Sequence, residues 1–317
     1  MNHIAVDMMG GDYAPLEAVK GVAAFFEAYP HAPVHLQLIG NSQQITPLLA
    51  GENIPENAFS VIHAEEMIGM HEHPTKALKE KPGSSIATGF RMLAEGTSDA
   101  FISAGNTGAM MVGALFSIKT IEGVNRPTIG AYLPREDGSL GLLVDVGLNA
   151  DCKPENLNQF AQLGALFARH ILHFDNPKVG LINLGEEEGK GNLLAQSAYP
   201  LLKQNPNFEF VGNVEGRDIL TTRADVFVCD GFTGNVILKL AESIYDIVQR
   251  RNIHDEHFSR FNFEMYGGVP VLGVSKPVII GHGISHSIAF KNMIHIAKTM
   301  LDTHLTGKIA DTFSASA

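Results

Sequence analysis

The chain has 317 residues, a formal net charge of −11 and two cysteines, Cys152 and Cys229. The length suffices for one large α/β domain or two interlocked lobes, and the negative charge argues against non-specific nucleic-acid binding. Two cysteines make no disulfide framework, so a reducing compartment and a cytoplasmic location are expected. No secretory leader is expected, and no apolar run reaches the roughly 18 residues of a membrane span.

Hydrophobic runs that end in polar or glycine-rich turns recur along the chain and predict an α/β fold. The predicted strands lie at 3–7, 34–39, 59–63, 100–102, 128–133, 140–146, 179–184, 208–214, 225–229, 269–274 and 277–280. Helices are predicted after residue 15, over 84–95, from 109, from 154, over 235–250 and over 285–305. One domain is therefore expected over 1–306, with two interlocked lobes as an alternative, and 307–317 is expected to be a frayed tail.

Two connecting segments carry further local signals. The turn 135–139 contains Asp137-Gly138 and predicts an antiparallel pair of strands. The charged segment 65–83 is interpreted either as a mobile flap over a site or as an ordinary surface loop with one helical turn.

The stretch 99–111 combines a buried strand, a glycine turn and a helix. Gly105, Asn106, Thr107 and Gly108 form the predicted turn, and the helix is expected from Ala109. Free backbone N–H groups and the positive end of the helix dipole meet at such a turn, which suits an anion such as phosphate. Gly10 and Gly11 follow the first strand and are expected to face this turn; the alternative is that they only reverse the chain.

Polar residues also follow other predicted strands, and ligands of open α/β sheets bind at the carboxyl ends of strands. The turn residues of this kind are Asp7, Asp145, Asn149, Asn213, Asp230 and Asn235. Asn235 is interpreted either as a donor to a substrate carbonyl or as a helix N-cap. Lys239 lies one helical turn further on and either reaches phosphate or lies on the surface.

Several other patterns are absent or uninformative. The sequence contains no His-Glu-x-x-His pattern, no Gly-x-Gly-x-x-Gly opening the first helix and no Gly-Lys-Ser/Thr loop, so no metal and no nucleotide cofactor is expected. The run 186–188 of three glutamates is expected to be solvated. Cys229 is assigned to the core rather than to a nucleophile, since no histidine lies near it in the sequence.

Four motifs together carry a family resemblance: Asp7–Asp12, Ser103–Ala109, Gly185–Gly191 and Cys229–Asn235. In this order they resemble the bacterial phosphate acyltransferases of phospholipid synthesis, over about residues 4–301. The resemblance implies a three-layer α/β/α sandwich with a mostly parallel sheet, similar to isocitrate and isopropylmalate dehydrogenases and to phosphotransacetylases. It also implies a homodimer that reversibly transfers a fatty acyl group from acyl carrier protein to inorganic phosphate.

The implied product is an acyl phosphate for phosphatidic acid and phospholipid synthesis. A membrane glycerol-3-phosphate acyltransferase is the implied next partner, with loose membrane association, no cofactor and no nucleic acid. The catalytic candidates are Lys190, Asn235, Asp230 and His282. The resemblance favours Lys190 over the alternative of a solvated surface lysine. His282 follows a strand between two glycines and is interpreted either as a proton donor to the leaving thiolate or as a structural residue. The phosphate-binding candidates are Gly10, Gly11, Gly105, Asn106, Thr107, Gly108 and Lys239, and the candidates for substrate contacts are Asp7, Asp145, Asn149 and Asn213.

Three competing functions stay open: a phosphotransacetylase-like enzyme using a coenzyme A thioester, a dehydrogenase of the related fold, and a non-catalytic docking protein. Many family members carry a long hydrophobic helical hairpin where this chain has only 251–263, and a lysine where it has Ile280.

An acidic carrier protein suits a basic docking patch, for which the candidates are Arg217, Arg223, Arg250, Arg251 and Arg260. Met110, Met111 and the last helix are candidates for an acyl groove, or plain core.

Overall fold

The computed structural model describes residues 1–315, in which eleven strands alternate with eleven α-helices. The strands are β1 (Asn2–Asp7), β2 (Val34–Gly40), β3 (Phe59–His63), β4 (Ala100–Ser103), β5 (Thr128–Pro134), β6 (Leu140–Val144), β7 (Lys178–Ile182), β8 (Glu209–Val214), β9 (Val226–Val228), β10 (Val269–Leu272) and β11 (Val278–Ile280). The helices are α1 (Leu16–Ala28), α2 (Ser42–Leu49), α3 (Pro74–Glu80), α4 (Ser85–Glu95), α5 (Thr107–Ser117), α6 (Pro154–His170), α7 (Leu193–Gln204), α8 (Gly231–Arg250), α9 (Glu256–Ser259), α10 (Ser287–Asp302) and α11 (Leu305–Ser314).

The chain forms two compact units, each with its own core. The first comprises residues 1–120 and 263–306, and the second comprises 121–262 and 307–315. The segment predicted as a frayed tail is helical to Ser314, because Leu305, Ile309 and Phe313 recur every four residues and are buried. Residues 316 and 317 of that predicted tail lie outside the described part.

The first unit is built on strands in the order β3-β2-β1-β4-β11-β10. All neighbours are parallel except β10 and β11, which are antiparallel. Helix α4 contacts β1, β2 and β4, whereas α10 contacts β1, β4 and β11 and packs on α1. Since right-handed crossovers place α1 and α4 on opposite faces, helices cover both sides of this sheet.

The second unit has the strand order β5-β6-β9-β7-β8. Only the β5–β6 pair is antiparallel, and its turn closes through the Arg135 amide, which donates to the Ser139 carbonyl at 3.0 Å. The hairpin predicted at 135–139 is therefore confirmed. The mostly parallel strands of both units confirm the predicted α/β class, and their carboxyl ends place several polar loops at one edge of each sheet.

Two helices begin earlier than predicted. Helix α5 starts at Thr107 rather than at Ala109, and α8 starts at Gly231 rather than at Asn235. Asn106 and Asp230 cap these helices, and the caps outweigh the low helix propensity of the glycines that follow. No α-helix within residues 1–315 is long and apolar enough to cross a membrane.

Candidate functional site

In the first unit, the loop after β1 packs directly against the turn after β4. The Asp7 carboxylate is fully buried and accepts hydrogen bonds from the Ser103 hydroxyl at 2.7 Å and the Met9 amide at 2.9 Å. A Cβ atom at Gly10 would lie 2.6 Å from the Gly105 nitrogen, so only glycine permits this approach. Burial raises the pKa of Asp7, while its hydrogen bonds oppose that shift.

The loop after β11 completes this edge of the first unit. The Gly281 amide donates to the Ser103 carbonyl at 2.8 Å, and the Asp12 amide donates to the Gly283 carbonyl at 2.7 Å. His282 is half-buried, with its ring centre 4.5 Å from that of Phe263. The predicted residues Asp7, Gly10, Gly11, Gly105, Asn106, Thr107, Gly108 and His282 thus lie on three loops at one sheet edge.

The side chain of Asn106 is not a free donor for phosphate, contrary to the prediction. Its Oδ1 accepts from the Ala109 amide at 3.0 Å, which caps α5. Its Nδ2 donates to the carbonyls of Gly69, Met70 and Glu72 at 2.9, 3.2 and 3.0 Å. The backbone N–H groups at the start of α5 remain as anion donors, and Thr107 among them is exposed.

The segment 65–83 lies over the start of α5 and is held there. The Glu72 carboxylate accepts from the Gly69 amide and from Lys81 Nζ, each at 2.6 Å, while Lys81 also donates to the Met67 carbonyl at 3.0 Å. A Cβ at Gly108 would overlap the ring of Pro74, the first residue of α3. Of the two interpretations of this segment, the structure shows a loop with one short helix, which is docked on α5.

In the second unit, Asp145 and Asn149 form a closed network after β6. The Asp145 carboxylate accepts four hydrogen bonds, from the amides of Ile129, Leu148 and Asn149 and from Asn149 Nδ2, at 2.6–3.3 Å. Asn149 Nδ2 also donates to the Pro127 carbonyl at 2.8 Å. Burial raises the pKa of Asp145, against the opposing effect of these bonds. The Asp145 carboxylate and Asn149 Nδ2 thus organise the loop and are engaged by the protein rather than free for the predicted substrate contacts.

The turn after β9 gives Asp230 a capping role. Its carboxylate accepts from the Thr233 amide at 2.8 Å and from the Thr233 hydroxyl at 2.9 Å. Asn235 is not the N-cap; it lies in the second turn of α8, and its Nδ2 donates to the Val146 carbonyl at 3.1 Å. Lys239 is exposed and paired with Glu242 at 2.7 Å. Asn235 thus holds the loop after β6 against α8.

Lys190 lies in a loop that two asparagines hold in place. Asn183 Nδ2 donates to the Lys190 carbonyl at 3.0 Å, and Asn213 Nδ2 donates to the Glu187 carbonyl at 2.8 Å. Gly191 has a φ of +97° and lies against the Asn183 amide, so a side chain is excluded there. The half-exposed Lys190 ammonium is 3.9 Å from a Glu187 carboxylate oxygen, which leaves it loosely paired.

The three glutamates of this loop are exposed, as predicted, and each also forms an ion pair at the surface. Glu186 pairs with Arg223 at 3.1 Å and with Arg217 at 3.9 Å, and Glu188 pairs with Lys203 at 3.0 Å. Arg260 donates to the Ser139 carbonyl at 3.1 Å. Three of the five arginines predicted as a docking patch therefore have partners on this unit, while Arg250 and Arg251 at the end of α8 are exposed.

Other predicted candidates belong to the core. Met110 is fully buried inside the first unit, as are most apolar residues of α10, so neither forms a groove. Burial raises the pKa of the Cys229 thiol well above its ordinary value, which removes the thiolate that a nucleophile requires. Within 1–315, no three His, Cys, Asp or Glu side chains come close enough to hold a metal ion.

Sequence reasoning missed three residues that position these loops: Ser103, Glu72 and Asn183. Ser103 lies inside a motif that was singled out, yet nothing in the pattern pairs it with a carboxylate 96 positions away. Asn183 ends a strand before a glycine-rich loop, which is the same signal that selected Asn149 and Asn213. Glu72 carries no local signal, because its partners depend on how the segment docks.

Comparison with known proteins agrees with the motif resemblance. A family model described as "Fatty acid synthesis protein" matches residues 2–308. A phosphate acyltransferase of Dictyoglomus turgidum is 41% identical, covering 97% of this chain and 96% of its own length. One from Aquifex aeolicus is 43% identical, covering 98% and 96%.

Solved structures extend this agreement to the fold. A phosphotransacetylase from Streptococcus pyogenes matches with a TM-score of 0.66 at 19% identity over 94% of each chain, and one from Staphylococcus aureus matches with 0.63 at 16%. Identity this low shows a shared fold alone, whereas the relatives that are about 40% identical over nearly the whole chain show the family. The chain is an acyltransferase and belongs to the phosphate acyltransferase family.

Proposed function

We propose that this enzyme reversibly transfers a fatty acyl group from acyl carrier protein to inorganic phosphate. The observation that carries the proposal is the start of α5, where a neutral cap and free backbone N–H groups lie beside two glycine turns. A dianion is favoured there, since the dipole end is positive and the cap of the helix carries no charge. The phosphate acyltransferase relatives support the same acceptor.

The chemistry needs positioning and charge stabilisation rather than a strong base. A phosphate oxygen attacks the thioester carbonyl, the C–O bond forms, the C–S bond breaks, and the electron pair leaves on sulfur as a thiolate. Phosphate is largely dianionic near neutral pH, and a thiol of pKa near 8.5 is a tolerable leaving group. Fixed N–H donors and one cation therefore suffice to lower the barrier.

Two side chains are proposed to act on the reacting groups. Lys190 is loosely paired and half-exposed, so its ammonium is available to neutralise charge on an anion. His282 is proposed to donate a proton to the departing thiolate, since it lies on the loop beside the α5 turn. Asp230, Asn235, Asp145 and Asn149 are reassigned as positioning residues because their polar atoms bond to the protein.

The carrier-protein donor is preferred over coenzyme A in this proposal on the strength of the motif resemblance. The exposed Arg250 and Arg251 at the end of α8 offer charge to an acidic partner. The same resemblance suggests a homodimer in the cytoplasm, loose membrane association, and an acyl phosphate product passed to a membrane glycerol-3-phosphate acyltransferase. A coenzyme A donor remains the second candidate, because the phosphotransacetylases share the fold.

The test is phosphate-dependent release of free thiol, measured with palmitoyl carrier protein and with palmitoyl-coenzyme A in parallel and without added metal. Release that needs phosphate and favours the carrier protein supports the proposal. Equal or better use of coenzyme A assigns the enzyme to phosphotransacetylase-like chemistry. Release without phosphate, or none from either donor, contradicts the proposed acceptor.

A further inference from the structure

The second unit contains a cavity at the carboxyl ends of β7 and β9 that the assignments above leave unused. Its volume is about 280 Å³, close to the lower end of small-molecule pockets, at roughly 300 Å³. The space is open to solvent on one side, so a ligand can enter it. The aliphatic half of the lining consists of Leu157, Leu181, Ile182, Leu184, Leu194 and Ala195, and the other half of Asn183, Gly191, Asn192, Cys229, Asp230 and Thr233.

The cavity continues into an open groove of about 730 Å³. Four residues line both spaces: Asn192, Leu194, Asp230 and Thr233. Large apolar side chains lie exposed around this opening, with Leu193 83% and Phe232 69% accessible. An aliphatic cavity that opens beside exposed apolar residues suits a ligand whose alkyl end is inside and whose remainder emerges along the groove.

The polar groups at the opening restrict the chemistry of that ligand. The carboxylate of Asp230 lies there and accepts hydrogen bonds from the amide and the hydroxyl of Thr233. The Cys229 thiol of the cavity wall stays protonated, because burial raises its pKa. No cationic side chain lines either space within the described residues. A fatty acid carboxylate would meet a like charge, whereas the neutral carbonyl of a thioester would not.

We propose that this cavity and its groove hold the alkyl chain of the acyl thioester donor, with Leu194 and Ala195 setting how much chain fits. The inference rests on the proposed acyl transfer and names the substrate subsite for it. It also replaces Met110, Met111 and α10 as the expected acyl-binding surface. The ligand class is a neutral long-chain thioester rather than a free fatty acid or phosphate.

Binding of S-alkyl pantetheine thioethers tests the proposal without turnover. Each methylene that enters the cavity is expected to raise affinity up to about fourfold, so the dodecyl thioether binds far more tightly than the butyl one. The variant Ala195→Leu fills the cavity and is expected to weaken dodecyl binding at least about tenfold while changing butyl binding less than twofold. Ser197→Leu, on the exposed side of the same helix, is the matched control and leaves both affinities unchanged.

A second variant covers the case in which Ala195→Leu does not fold. Leu194→Ala adds no side-chain bulk but removes apolar contact at the junction of cavity and groove, and the lost contact is also expected to weaken dodecyl binding selectively. Dodecyl affinity that is unchanged in the folded variants, or that falls equally with butyl affinity, overturns the cavity as the acyl subsite. So does tighter binding of dodecanoate than of the dodecyl thioether.

Turnover separates this inference from the proposed function. Phosphate-dependent thiol release from butyryl pantetheine is expected in both the wild type and Ala195→Leu. The chain-length profile of turnover in Ala195→Leu is expected to shift toward donors with short acyl chains. If release persists but the chain-length profile does not shift, the subsite is wrong and the proposed function stands. If no donor releases thiol, the proposed function is wrong, and the thioether affinities alone decide the subsite.

Discussion

Each of the two units contains two neighbouring parallel strands in the same arrangement. One strand is followed by, or ends at, a buried aspartate, and the other precedes a capped helix. In the first unit these are β1, which ends at Asp7, and β4 before α5; in the second they are β6, which precedes Asp145, and β9 before α8. The caps differ in charge, since α5 begins after Asn106 and α8 after Asp230. The same backbone arrangement therefore favours an anion at α5 and disfavours one at α8.

The surroundings of the two turns also favour an anion at α5 and disfavour one at α8. The α5 turn meets glycine loops and the docked segment 65–83, and its exposed residue is polar Thr107. The α8 turn borders an aliphatic cavity, and its exposed residue is Phe232. Within its own unit, each turn therefore has the surroundings that its proposal requires, polar at α5 and apolar at α8.

The largest expected effect concerns the aspartate of the second unit. In the wild type, four N–H groups donate to the Asp145 carboxylate. Asp145→Asn places an NH2 group against some of these donors, which are then left unpaired in a buried site. The free energy of unfolding should fall by about 2–4 kcal/mol at pH 7, measured by urea denaturation. Asp151→Asn, at an exposed position nearby, is the control and should change it by less than about 0.5 kcal/mol. A native-like stability of Asp145→Asn would show that the loop does not depend on its carboxylate.

The second prediction separates a working lysine from a structural one. Lys190 and Lys203 both pair with glutamates of the same acidic loop, but only Lys190 is flanked by the glycines and held by Asn183. Lys190→Met should lower kcat/KM for acyl transfer by about 100-fold, as expected when one charge-stabilising group is lost. Lys203→Met should change it less than twofold. Equal losses in the two variants would assign Lys190 to the loop rather than to the chemistry.

Exchange of the two caps tests the comparison directly. Asn106→Asp retains a capping oxygen but adds a carboxylate where phosphate is proposed to bind, so the KM for phosphate should rise by about tenfold or more. Asp230→Asn retains its cap and removes the charge, and that KM should change less than twofold. Asn106→Ser, which releases the carbonyls of residues 69–72 without adding charge, distinguishes repulsion from loss of the docked segment. A similar response to both exchanges would show that the turns are not specialised.

The strands and the edges at which their loops gather could be predicted from hydrophobic runs and turn residues, because both are local signals. The cap of α5 was not predicted, because Asn106 was assigned to a phosphate-binding turn and the low helix propensity of Thr107-Gly108 obscured the helix start. No local pattern revealed that the side-chain amide of Asn106 binds carbonyls 34–37 positions away. Nor did any pattern reveal that the Asp145 carboxylate accepts four hydrogen bonds from the protein. Hydrogen bonds between distant segments depend on docking, and a residue type that suits a ligand suits a backbone group equally well.

The smallest effect concerns Asp7, where an asparagine can keep the bond from the Met9 amide and exchange donor and acceptor with the Ser103 hydroxyl. With Oδ1 toward the Met9 amide and Nδ2 toward the Ser103 hydroxyl oxygen, Asp7→Asn should change the free energy of unfolding by less than about 1 kcal/mol at pH 7. Because burial raises the pKa of Asp7 in the folded state, the folded chain holds this proton to higher pH than the unfolded chain. Its stabilising contribution is therefore complete below the ordinary carboxyl pKa of about 3.9 and is lost as the pH rises through the folded-state value.

Urea unfolding of the wild type and Asp7→Asn at a series of pH values measures that loss. The difference, wild type minus variant, should fall as the pH is raised above about 4, with a slope of at most about 1.4 kcal/mol per pH unit. A difference that rises with pH over this range would mean that the Ser103 and Met9 hydrogen bonds outweigh burial and that the Asp7 pKa is lowered. Asp7 would then be a fixed negative charge beside the α5 turn, which would oppose phosphate binding there and remove the contrast in charge between the two turns.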